Sequence, residues 1–193
     1  MEHLDSANPA EELRRATFTD LFLTQDHSLL EGIWQDGRAR GALEGMVADG
    51  GAEMNARFLA AEILFAKLPG YPPAEGAAVL AEIYARALGD STQAMANPWG
   101  LPGRTDATVA EHVLRIGPVA IPQFLPLLED DRRVTYGGSR DATFGNRFRF
   151  RVKDVAADLI AALAGLPFVP DENPEMRDEA IRELAGKLKE RGN

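Results

Sequence analysis

The sequence predicts an all-α protein, a short irregular α-solenoid built from stacked helix pairs. Three observations predict it. Alanine is abundant and apolar residues recur mainly three and four positions apart, the period of one helix face. Valine-rich alternating runs, the mark of half-buried strands, are scarce. One short run recurs at an interval that holds two helices. The 193 residues are expected to form one helical-repeat domain. In it a cap helix covers 8–27, about three helix pairs cover 28–165, and a closing cap helix lies within 166–193.

The elements follow in order. Asn8 is placed to cap the first helix, Pro9 fits its first position, and Glu11 stands where a capping box needs a carboxylate. A short helix is expected from Ser28 to Gln35, broken by Asp36-Gly37, with a second piece from Arg38 to Ala48. Asp49-Gly50-Gly51 reads as a turn. The most apolar helix up to this point runs from Ala52 to Leu68 and is ended by Pro69, Gly70, Pro72 and Pro73. The next carries Val79, Leu80, Ile83 and Leu88 and stops at Gly89. After an irregular stretch, Thr105 or Asp106 is expected to cap a helix that ends at Gly117-Pro118. A short helix over Val119–Leu128, a second irregular stretch, and a strong helix ending at Leu163 come next. Asn173-Pro174 opens the last helix, and Lys187, Lys189 and Arg191 suit the negative end of its dipole.

The recurring runs are Leu59-Ala60-Ala61-Glu62-Ile63-Leu64, Val109-Ala110-Glu111-His112-Val113-Leu114 and Val155-Ala156-Ala157-Asp158-Leu159-Ile160. Their acids are spaced 49 and 47 residues apart, the two-helix period of a stacked repeat. An irregular helical bundle is the competing reading. On these runs the chain resembles the HEAT and armadillo-like class of bacterial helical-repeat proteins, roughly from Ser28 to Gly165. Arg151-Val152-Lys153-Asp154-Val155-Ala156-Ala157 looks like the start of the second helix of such a unit. The Asp36-Gly37 break and two long linkers depart from the pattern. The resemblance implies a scaffold for binding other macromolecules.

Composition narrows the function. Thirty acidic against 21 basic residues give a net charge of −9, which disfavours nucleic acid and anionic membranes as partners. Without cysteine there is no disulfide framework, thiolate nucleophile or zinc–thiolate site. No apolar stretch is long enough to span a bilayer, and Met1–Arg15 is too polar for a secretory signal. A cytoplasmic protein is expected.

No catalytic constellation is visible. His3, His27 and His112 never fall at the i, i+4 spacing of a helical metal site. Asp26-His27 reads as a helix cap and His112 as a partly buried helix residue. Ser139 lacks the glycines of a nucleophile elbow. No phosphate loop or dinucleotide fingerprint is present. Glu62, Glu111 and Asp158 read as a solvated acidic face rather than a catalytic carboxylate pair, since stacked helices sit about 8–10 Å apart. No cofactor and no metal are expected.

Two long linkers, 89–104 and 129–149, should lie side by side on one edge of the stack. Structureless loops of this length are uncommon and are usually functional or disordered, and these carry Trp99, Tyr136 and Phe144. From Arg132 to Lys153 seven basic residues face Asp141 alone. The flanking Glu129, Asp130, Asp131 and Asp154 reduce that excess to two, so internal ion pairing competes with an anionic partner. Arg147-Phe148-Arg149-Phe150-Arg151-Val152 alternates with period two, which suggests a strand pairing with Arg133–Tyr136 as a small β-hairpin within 133–150. Arg140, Asp141, Thr143 and Asn146 would form its tip. They either present donors and a carboxylate to a partner, or serve as Asx turns and caps with Gly145 at positive φ.

The residues nominated for a protein partner are Trp99, Arg104, Tyr136, Arg140, Asp141, Asn146, Arg147 and Arg149. The function expected is a non-catalytic protein–protein interaction module, an adaptor or an inhibitor of the immunity type, using the inner helical face or the paired loops. The alternatives are a helical-repeat enzyme acting on nucleic acid in the manner of a glycosylase, and a purely structural domain. The polar outer side of the last helix favours a monomer.

Overall fold

A computed structural model of the chain describes residues 8–90, 97–104, 106–138 and 140–191. The fold is all-α, and no strand occurs among the described residues. No helix among them is long and apolar enough to cross a membrane. The chain forms two compact units, 1–83 and 84–193.

In the first unit, α1 (Pro9–Arg15) starts as its sequence dictates, with the Asn8 carboxamide accepting from the Ala10 N–H. Glu11 closes no capping box and instead pairs with Arg15 one turn on. A π-turn over Thr19–Leu23 follows, entered through Asp20, which accepts from both the N–H and the hydroxyl of Thr17. After α2 (Ser28–Trp34), Gln35 and Asp36 adopt left-handed φ angles of 51° and 53°, the break expected at Asp36-Gly37. α3 (Arg40–Ala48) and α4 (Met54–Lys67) then form the centre of this unit. The Glu53 carboxylate caps α4 at the N–H groups of Asn55 and Ala56.

Every residue of α4 from Ala56 to Phe65 is buried, because α4 packs against both α1 and α3. Arg57 lies within this run. Its guanidinium donates twice to the Val47 carbonyl, one of the terminal carbonyls of α3 that lack an intrahelical partner. α5 (Ala77–Asp90) contains the boundary between the units.

The second unit is built around α9 (Val152–Ala164), which packs on α6 (Thr108–Ile116), α7 (Ile121–Phe124), the 3-10 turn Leu125–Glu129 and α10 (Pro174–Arg191). Val152, Val155, Ala156, Ala157, Leu159, Ile160 and Ala161 of α9 are buried there. The expected cap of α6 is corrected. Its N-cap is Ala107, Asp106 pairs with Arg104 instead, and Thr105 lies outside the described residues. α10 begins at the expected Asn173-Pro174, with Asn173 accepting from the Glu175 N–H.

The β-hairpin expected within 133–150 is also corrected. Residues Arg140–Phe148 form a helix, α8, where its tip and second strand were placed. Thr143 and Asn146 are therefore exposed helix residues rather than caps or Asx turns. An antiparallel bridge between Arg133 and Arg151 remains, flanked by bonds from Val134 N–H to Phe150 C=O and from Val152 N–H to Arg132 C=O. The alternation misled because one left-handed residue, Arg149 (φ 53°), joins α8 to this extended segment. Phe148 and Phe150 lie on either side of it and stack with centroids 5.1 Å apart. Gly145 is helical and not at positive φ. The acidic face expected of the recurring runs is not formed: Glu62 is fully buried and Asp158 half-buried, while Glu111 is exposed.

Candidate binding groove

The two long linkers meet in the second unit. The Tyr136 hydroxyl donates to the Gly100 carbonyl at 3.0 Å, tying the segment before α8 to the segment after the turn Asn97–Trp99. Burial pushes the Tyr136 phenol well above its usual pKa, so the hydroxyl stays a donor. Trp99 is buried with its ring edge-on to Tyr84 at 6.3 Å. Both aromatics thus anchor the linkers to the core and present little surface to a partner.

Between the anchored segments lies an open apolar groove of about 200 Å³, lined by Leu101, Pro102, Arg104, Phe144, Phe148, Phe150 and Pro170. α8 supplies Phe144 and Phe148. Phe144 is 48% exposed, a large side chain left in water beside an apolar wall. The opposite wall is the tight turn 101–104, closed by the Arg104 N–H on the Leu101 carbonyl. Gly103 fits there for two reasons. Its φ is 87°, and an added Cβ would stand 3.1 Å from two ring carbons of Pro170.

The nominated residues divide by place. Arg104 lies at the groove, exposed and paired with Asp106 at 2.7 Å, with Asp141 near enough to act on its charge. Arg147 makes a two-pronged bond to Glu172 at 2.9 and 2.7 Å. Asn146 is exposed on α8, and Arg149 is exposed just beyond it, with no ion pair among the described residues. Arg140 opens α8, and its side chain lies outside the described residues. Ser139 lies outside them as well, as does His3.

Most of the basic segment is engaged internally. Arg132 binds Asp130, and Arg151 binds Asp154, Asp178 and Asp131. Sequence reasoning missed Leu101, Pro102 and Pro170 as groove walls, because nothing local marks them. It also missed Arg177, which is 1% exposed. A signal for Arg177 existed: it continues the apolar stripe of Ile181, Leu184 and Leu188 at spacings of four, three and four.

Asp158 lies beneath the turn. Its carboxylate accepts from the Gly103 N–H and has no cation beside it among the described residues. Burial raises its pKa to about 6, and the Gly103 bond offsets only part of that. The folded state therefore holds a proton that the unfolded chain releases near pH 4. Stability is full below that pH and declines as pH rises to about 6. Asp158→Asn removes the buried charge and keeps an acceptor for Gly103. The variant is expected to gain about 1–3 kcal/mol over wild type at pH 7.5, and the gain should vanish at pH 4. Urea titrations of both proteins across this range check it; a difference independent of pH would contradict it.

No group of His, Asp and Glu among the described residues is arranged to hold a metal ion. No protein-family model matches the chain, and no curated protein or solved structure matches it either.

Proposed function

We propose that this chain is a non-catalytic protein-interaction module, an adaptor or an inhibitor of the immunity type, acting as a cytoplasmic monomer until it meets its partner. The observation that carries the reading is the groove with Phe144 at its mouth. An exposed aromatic side chain beside an apolar recess, rimmed by Arg104, has the composition of a protein-binding hot spot. The internal pairing of Arg132 and Arg147 supports a protein over nucleic acid, since those cations are already matched by carboxylates.

We read the helices as irregular HEAT-like pairs. This rests on the three recurring runs falling within α4, α6 and α9 at nearly equal intervals.

Affinity capture from the native lysate tests the reading, with Phe144→Glu as the matched control. Phe144 is half exposed on α8, so the substitution should leave the fold intact by circular dichroism. One stoichiometric protein partner should be captured by wild type and weakened at least about tenfold by the variant. Equal capture by both would remove the groove from the reading. Capture of nucleic acid alone, stripped by salt, would overturn the module itself.

A further inference from the structure

We propose that Arg133, Arg151 and Lys153 form a carboxylate-binding site for an acidic segment of a protein partner, held in the free protein by the chain's own Asp131. The partner class rests on the protein-binding reading above; the site itself does not. Arg151 and Lys153 are nearly covered, with side chains 11% and 12% exposed. Each bears on two kinds of carboxylate. Asp154 and Asp178 belong to the packed helices α9 and α10 and hold the cations from within, Asp154 at 2.9 Å from Arg151 and Asp178 at 2.8 Å from Arg151 and 2.9 Å from Lys153. Asp131 is different. It precedes the bridge on an irregular segment, its side chain is 72% exposed, and it reaches the same two cations at 3.3 and 2.6 Å. It is the solvent-facing carboxylate of the cluster, the one an external carboxylate can replace without disturbing the core.

Arg133 supplies the unmatched charge. It stands directly across the antiparallel bridge from Arg151, and the flanking bonds make this the pair whose side chains approach most closely on one face. Like charges in that position repel. Arg133 is exposed and makes no ion pair among the described residues. An incoming carboxylate would meet its guanidinium as well as the two cations that Asp131 now occupies, with the paired N–H geometry that favours arginine for carboxylates. The charge distribution allows such a ligand to approach. Residues 84–193 carry fifteen Lys and Arg against sixteen Asp and Glu, whereas 1–83 carries six against fourteen.

The test is binding of a fluorescein-labelled hexaglutamate peptide, read by anisotropy at low ionic strength, with hexaglutamine as the blank. Wild type should bind hexaglutamate and not the blank. Asp131→Asn removes the internal competitor and should tighten binding about threefold to fivefold, and Arg133→Ala should weaken it by a similar factor. Glu111→Gln changes the net charge as Asp131→Asn does, but at an exposed position on α6, and should move the affinity less than about twofold. Equal tightening by Glu111→Gln would reduce the effect to net charge and overturn the site. So would an unchanged affinity in Arg133→Ala, or no binding by either wild type or Asp131→Asn. These outcomes are independent of Phe144, so failure here leaves the groove reading standing, and failure of the groove leaves this site standing.

Discussion

Arg177→Ala is expected to destabilise the 84–193 unit by about 3–5 kcal/mol, the range for removing one member of a buried charge cluster. The guanidinium is 1% exposed and joins three parts of the unit. It donates to the Phe148 carbonyl at the end of α8, and to the Asp171 and Glu172 carbonyls ahead of α10. Its Nε stands 3.2 Å from the fully buried Asp154, and its plane lies 5.3 Å from the centre of the Phe150 ring. Truncation leaves three carbonyls short of a donor and a buried carboxylate short of a cation. Arg177→Met keeps most of the stem and isolates the polar part of the loss. The neighbouring Arg147–Glu172 pair is the control: its side chains are 63% and 52% exposed, so Arg147→Ala should cost under about 1 kcal/mol. Trp99 reports on this unit and Trp34 on the other, so urea unfolding followed in a Trp34→Phe background isolates the effect. A loss below about 1 kcal/mol for Arg177→Ala would show that the cluster does not hold the unit together.

Arg177 also shows where reading the sequence stops. Local signals placed most helices well. Asn8-Pro9 and Asn173-Pro174 start helices because a capping acceptor and a proline suit the first turn, and both caps are present. The apolar run 56–65 marked the buried helix of the first unit for the same local reason. Two failures are local, since Glu11 pairs with Arg15 instead of closing a capping box and Asp106 with Arg104 instead of capping α6; the larger ones are places where a distant contact decides. Arg147–Val152 alternates like a strand, yet its first part is helix, because α8 can rest on Tyr136 and be fastened by Arg177 at Phe148. Period-two spacing marked Phe148 and Phe150 as the side turned to the core, and Phe150 is buried and Phe148 half-buried, but it did not give the left-handed step at Arg149. The two linkers were expected side by side, and the Tyr136–Gly100 bond joins them. The groove between them was not legible, because its walls Leu101, Pro102 and Pro170 come from turns whose positions depend on Tyr136, Gly103 and Asp158.

Gly145 carries that dependence to the second large effect. In the middle of a helix, Gly→Ala should stabilise by up to about 1 kcal/mol. At Gly145 the sign is expected to reverse, with a loss of about 2–3 kcal/mol. A Cβ there would stand 2.1 Å from Cδ2 and 2.5 Å from Cγ of Tyr136. The ring cannot retreat freely, since its hydroxyl is bonded to Gly100 and its edge meets Phe150 at 6.3 Å. Relief therefore requires either moving α8 or breaking the bond that joins the two linkers, and each would displace a wall of the groove. Gly186, with nothing within 4 Å of its Cβ position on α10, is the control and should show the ordinary gain. The decisive comparison is Gly145→Ala in a Tyr136→Ala background. With the ring gone, the substitution should again be stabilising by up to about 1 kcal/mol, a change of sign that no general effect on helix propensity produces. If Gly145→Ala is neutral or stabilising in the wild-type background, α8 does not rest on Tyr136 and the groove wall it forms is not fixed there.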